Sequence, residues 1–215
     1  MTWDWQYVQQ IMPSLMIGIW YTILVTIASS AIALVGGLLL AILESVSTTL
    51  GRTFVRFWLE FFRGVPVLVL LYFSFYVLPE IGVTMPALPI GIGVLGIVYA
   101  AFCSEVYRGS LITIPGELRD ACVALNLSRF AMWQRVLIPL MVTRSIPALL
   151  NYVLSLFRLT AWLFAIGVPV LMFQADVVAE QSYRYLEPYT LTGLIYVAMN
   201  LPFLYVLYRF KVRHA

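Results

Sequence analysis

The sequence predicts an all-α integral membrane protein with five transmembrane helices, its N-terminus outside and its C-terminus in the cytoplasm. Three observations carry that prediction. Hydrophobic residues make up 62% of the 215-residue chain and charged residues 11%, against about 25% charged in soluble domains. Several runs exceed the roughly 18 uncharged residues that cross about 30 Å of hydrocarbon as a helix. The period-two alternation of a transmembrane β-barrel is missing.

Taken in order, the opening MTWDWQYVQQIMPS holds Asp4 but no Lys or Arg, unlike the basic start of a cleaved secretory signal. Trp3, Trp5 and Tyr7 suit an outer interfacial segment over 1–13, because aromatic rings prefer the headgroup level. The first span, 15–43, contains no charge. Ser29, Ala33, Gly37 and Ala41 recur in it every four residues, the spacing that lets helix backbones approach closely, either within the chain or across a subunit contact. The second span, 56–79, has charges only in its first third, at Arg56, Glu60 and Arg63. Gly64 with Pro66 marks a helix break there, and irregular backbone at membrane depth must line a cavity or be covered by protein. The third span, 81–106, is uncharged up to Ser104. Glu60 with Arg63, and Glu105 with Arg108, are three apart and pair on one helix face, which reads as bracing near the inner surface. As one helix, 145–175 would be about 46 Å long, so a break near Gly167 to Pro169 leaves a fourth span at 145–166, charged only at Arg158. The fifth span is 188–208.

Orientation follows from Lys and Arg, which stay on the cytoplasmic side of span ends. Arg52 and Arg56, Arg108 to Arg144, and Arg209, Lys211 and Arg213 all fall inside when the N-terminus is outside, leaving only Arg184 on the outer face. Asp4, Glu80, Asp176, Glu180 and Glu187 then lie outside. Cys103 and Cys122 fall on the cytoplasmic side, where no disulfide is expected. With His214 as the lone histidine, zinc and bis-histidine haem sites have no candidates. No internal repeat divides the chain, so residues 1–215 read as one membrane domain.

The cytoplasmic loop 107–144 contains the polar island PGELRDACVALNLS, residues 115–128. Pro115 precedes a helix with Glu117 and Asp120 near its positively polarised start, and Ser128 caps a second helix running through Trp133 and Arg135 up to Pro139. A helical loop of this length is a candidate docking surface.

At this point the chain resembles the membrane subunits of ATP-binding-cassette importers, in particular the polar amino-acid uptake branch. The signature of that family reads E-A-A, three residues, G, nine residues, I-x-L-P. Here Asp120-Ala121-Cys122, then Asn126, then Val136-Leu137-Ile138-Pro139 stand in the same register. FFRGVPVLVLLYFSFYVLP (61–79), SEVYRGSLITIP (104–115) and IGVPVL (166–171) are similar to further segments of the branch, so the likeness covers nearly the whole chain.

The resemblance implies a type I importer permease fold with a cytoplasmic coupling helix around Asp120, Ala121, Cys122 and Asn126. In that helix the acid caps or salt-bridges the start, small residues allow close approach, and a residue tolerant of positive φ ends the turn. It implies cytoplasmic ATPase subunits, a second permease subunit, identical or homologous, and an extracytoplasmic solute-binding protein as partners, with membrane lipid around them and no nucleic acid. No G-x-x-x-x-G-K-[ST] phosphate loop occurs, so ATP and Mg²⁺ belong to the partner ATPase and this chain binds no cofactor. The family's K-D-T-S corresponds to Arg158-Leu159-Thr160-Ala161. Arg158 and Thr160 become candidates for the substrate pathway, with Arg158 either contacting a substrate carboxylate or buried between subunits. Arg63, Gly64, Pro66, Glu105 and Arg108 are the structural or gating candidates. The expected solute is an amino acid or a derived zwitterion such as ectoine. The other readings are a structural membrane anchor and a secondary transporter, which would show more intramembrane acids and an internal repeat.

Overall fold

The computed structural model describes the backbone of residues 3–214. Expectations for residues 1, 2 and 215, and for the side chains of 206–208 and 210–214, including Lys211 and Arg213, lie outside the described residues.

Helix α1 (Trp5–Val46) starts where the Asp4 carboxylate accepts the N–H groups of Gln6 and Tyr7 at 2.9 and 3.3 Å, a side-chain N-cap. It then runs without interruption through Pro13. From Trp5 onward the segment expected as a separate unit over 1–13 is therefore the beginning of α1. A capped start and the burial of Val8, Ile11 and Leu15 on both sides of Pro13 outweigh the one hydrogen bond the proline removes.

The second span is bent. Helix α2 (Thr49–Gly64) meets α3 (Val67–Tyr72), which continues as a π turn (Phe73–Val77) and a 3₁₀ turn (Leu78–Ile81), at 99°. Residues 56–79 are thus not a single rod. The cause is Val65, extended at φ −85° and ψ 130°, as the residue before a proline prefers. Gly64 itself has no neighbour within 4 Å of a virtual Cβ and no positive φ, so the corner belongs to Val65-Pro66.

Helix α4 (Ala87–Ile112) is displaced from the expected 81–106. Gly82, at φ 87°, closes the 3₁₀ turn before it, and Pro86 supplies its N-cap position. At the other end no helix breaker intervenes before Pro115. Helix α5 (Gly116–Ala124) follows, and Ser128 caps α6 (Arg129–Met132), accepting the Ala131 N–H at 3.2 Å. The second loop helix does not stop at Pro139. A π turn (Trp133–Leu137) leads straight into α7 (Ile138–Leu159), with Pro139 in its first turn, where the missing N–H costs least. With a 3₁₀ extension (Thr160–Ile166), Arg129–Ile166 forms one helical body of 38 residues, and the non-helical backbone flanking α5 is confined to 113–115 and 125–128. The expected break is present, for Gly167 stands in the left-handed region at φ 77°. Helix α8 (Leu171–Ser182), which no sequence signal singled out, and α9 (Leu186–His214), over the fifth expected span, complete the chain.

Among the described residues, α1, α4 and Arg129–Ile166 are each long and apolar enough to cross a membrane, and the α2–α3 pair adds a fourth if it crosses as a bent unit.

The core forms where α1 lies along α4. A Cβ on Gly37 would stand 2.6 Å from Cys103 Cβ and 2.9 Å from the Ala100 carbonyl, and the Ser29 hydroxyl donates to the Ile92 carbonyl at 3.1 Å. Ser29, Ala33, Gly37 and Ala41 are all buried. The small-residue stripe is therefore consumed within the chain. Toward the N-terminal end of α1, Gly18 receives the Leu171 backbone and Thr22 Oγ1 accepts the Leu171 N–H at 3.0 Å, which seats α8.

Candidate coupling and translocation sites

The island around α5 is built as a protruding, capped helix. Its C-terminal end is a Schellman closure: the Leu127 N–H donates to the Cys122 carbonyl at 3.0 Å and the Asn126 N–H to the Val123 carbonyl at 2.9 Å. That pattern requires a left-handed residue at Asn126, whose φ is 54°. Asp120 and Ala121 are exposed. Asp120 lies mid-helix, so it does not cap the start as expected; Pro115 precedes the helix and Glu117 is the acid of its first turn. Cys122, expected on the docking face, is 5% exposed and turns inward, because positions two apart on a helix face different ways. Val123 and Leu125 at the end of α5 and Phe130 in α6 are apolar yet 68, 74 and 76% exposed.

The end of α4 that leads into α5 is held by α7. Arg144 of α7 donates to the Thr113 carbonyl at 2.8 Å, and Ser145 Oγ lies 2.8 Å from Ser110 Oγ of α4. These contacts tie the end of α4, just before α5, to α7.

Arg158 and Thr160 do not share a face. Arg158 is exposed, in the last turn of α7, and takes part in none of the ion pairs among the described residues. It lies fourteen residues past Arg144, about 21 Å along the helix. Thr160 is fully buried and its hydroxyl donates to the Phe157 carbonyl at 2.7 Å. Of the two, Thr160 thus packs inside the chain, while Arg158 presents its guanidinium on the surface.

The charged candidates among the rest converge where α2 meets α4. Arg63 pairs with Glu60 on its own helix, Arg108 with Glu105 on α4, and Arg63 Nη1 reaches Glu105 Oε2 at 3.6 Å, joining the two pairs. Pro66, beyond the corner, begins α3. Sequence reasoning missed Glu44, the charge that ends the apolar run of α1: its side chain is 3% exposed and its Oε1 accepts from Arg56 Nε at 2.7 Å. The available signal was its position twelve residues before Arg56, invisible until the α1–α2 turn folds back.

A second missed cluster lies at the opposite end of α1. Arg184 bonds Asp4 Oδ2 at 3.2 Å, pairs with Glu187, and lies 4.6 Å from the Tyr7 ring centre. The Tyr7 hydroxyl donates to the Val178 carbonyl at 3.1 Å. The Tyr7 N–H and then Arg184 hold the Asp4 carboxyl below its ordinary value. Burial pushes the Glu187 carboxyl up, but the opposing Arg184 hydrogen bond leaves it lowered.

Comparison with known proteins agrees with this geometry. Residues 33–213 match the family described as binding-protein-dependent transport system inner membrane component. A probable amino-acid ABC transporter permease protein of Sinorhizobium fredii is 31% identical over 93% of this chain and 89% of its own length. The glutamine transport system permease protein of Escherichia coli is 27% identical over 99% of this chain and 98% of its own. Among solved structures, an amino acid ABC transporter crystallised with histidines superposes with a TM-score of 0.89 at 28% identity, covering 99% of this chain and 100% of that one. A chain of an inward-facing methionine ABC transporter shares the fold, with a TM-score of 0.74 at 21% identity over 94% of this chain and 98% of its own. The chain belongs to the binding-protein-dependent transport system inner membrane components: it is a multi-pass, non-catalytic permease subunit of an amino-acid ABC importer.

Proposed function

We propose that this subunit crosses the inner membrane five times, N-terminus outside, and works as half of a two-subunit pore that receives a small zwitterion from an extracytoplasmic binding protein. Cytoplasmic ATPase subunits grip α5, and their ATP-driven closure moves α4 and α7 so that the pore opens outward. The observation that carries the reading is α5 itself: closed at its C-terminal end, exposed through Asp120, Ala121, Val123 and Leu125, and following directly on the end of α4 that Arg144 and Ser145 bind to α7. The resemblance to amino-acid permeases supports the solute class. The exposed cation of Arg158 supports a carboxylate as its partner, because a charge at membrane depth is costly without one. Ectoine is one solute with that chemistry.

The test is transport in vesicles holding the complete importer. Asp120→Arg with Ala121→Trp should abolish stimulation of ATP hydrolysis by the loaded binding protein while the membrane domain still assembles. Arg158→Met should lower uptake at saturating binding protein with basal hydrolysis intact, and Arg158→Lys should restore part of it, keeping the charge without the planar fork. Undiminished stimulation in the double variant refutes the coupling assignment. Unchanged uptake in Arg158→Met makes that residue a structural brace.

A further inference from the structure

We infer that Glu44 is a positioning residue that locks the inner end of α1 to α2 and α4, so that movement of the coupling helix turns the corner at Val65-Pro66. The inference rests on the permease reading and adds to it a residue and a route. Glu44 is an almost fully buried carboxylate in a chain with few charges. Besides the Arg56 contact on its side chain, its backbone carbonyl accepts from Arg52 Nε at 3.3 Å, so two arginines of α2 fold back onto one residue of α1. Around it Glu44, Arg56, Glu60, Arg63, Glu105 and Arg108 line a polar pocket of about 240 Å³. The three acids and three bases balance, and they come from three helices.

Two features make this cluster a device rather than a fixed clamp. Arg63 Nε is buried with no acceptor among the described residues, while the same guanidinium reaches Glu60 on α2 and Glu105 on α4. A spare donor beside a polar pocket lets the network re-pair after a small slide of α4 without exposing a bare charge, the alternative that makes broken buried pairs so costly. The second feature is position. Glu105 and Arg108 lie in the last two turns of α4, which three residues separate from α5, and Arg63 lies two residues before Val65, at the corner where the chain bends by 99°. Interlocked side chains with two pairings between rigid elements are the physical form that coupling takes.

The experiment uses the complete importer in nanodiscs with nitroxide pairs on exposed positions. A Phe57–Leu39 pair reports α2 against α1, and a Val123–Leu39 pair reports α5 against α1. In the otherwise wild-type complex, ATP should change both distance distributions. Glu44→Gln, which keeps shape and hydrogen-bonding capacity, should leave the α5 response intact and abolish that of α2. The uptake obtained per ATP hydrolysed should fall about three- to tenfold, and Glu44→Asp should recover part of both. An α2 that never responds to ATP, or responds equally in Glu44→Gln, overturns the inference and leaves the permease reading standing. No ATP response at Val123 in the wild-type complex takes both down.

Discussion

Asn126 provides the sharpest test of how α5 is held. Its φ of 54° places it in the left-handed region, which costs an ordinary L-residue roughly 1–2 kcal/mol, less for Asn and nothing for Gly. The Leu127-to-Cys122 and Asn126-to-Val123 hydrogen bonds exist only in that conformation. Asn126→Val puts a β-branched side chain where the region is least tolerant, so the end of α5 should lose about 1–1.5 kcal/mol relative to wild type. A loss of 1.4 kcal/mol is a factor of ten in an opening equilibrium, so amide hydrogens of Leu125 to Leu127 should exchange about five- to tenfold faster. Asn126→Gly should exchange no faster than wild type if the conformational preference outweighs the greater freedom of glycine in the open state. Hydrogen-exchange mass spectrometry of the region 116–128 in nanodiscs measures this, with ATPase stimulation as a parallel readout. Equal exchange in the Val and Gly variants would refute the argument that a left-handed cap holds the helix.

Two further outcomes follow from the packing and the charges. Gly37→Val should destabilise the chain by about 1–3 kcal/mol, because its Cβ would overlap Cys103 and the Ala100 and Ser104 backbone of α4; thermal unfolding in detergent should show a fall of about 2–4 °C per kcal/mol, and an unchanged Tm would contradict the close α1–α4 approach. Asp4 has a folded-state carboxyl below its ordinary 3.8, so its contribution to stability is complete above the unfolded value and is lost as pH falls through the lower folded one. Unfolding temperature in the acid range should therefore drop less steeply in Asp4→Asn than in wild type, and parallel curves would show that the Arg184 corner carries no such linkage.

Much of the class was written in composition, because a bilayer punishes charge and unpaired backbone so heavily that the surviving runs can be read as helices. The same holds where one residue's chemistry decides the backbone: Ser128 as a cap, Pro66 at the corner, Gly167 at the end of the long helical body, and Asn126 at a position needing positive φ. Membership of the permease family likewise needed nothing beyond residue order. Boundaries set by competition were not readable this way. Pro13 and Pro139 looked like stops, yet tertiary contacts carry the helix past the first and a π turn absorbs the second. Which way a side chain faces was also undetermined, since Cys122 and Thr160 belong to the same short motifs as Asp120 and Arg158 but are buried in the opposite direction. Glu44 shows why most plainly: a lone acid at the end of an apolar run comes to line a pocket with five other charged residues only when α2 folds back over α1 and α4 supplies the third side. A sequence records which charges a membrane protein tolerates, and the packing of its helices decides which of them meet.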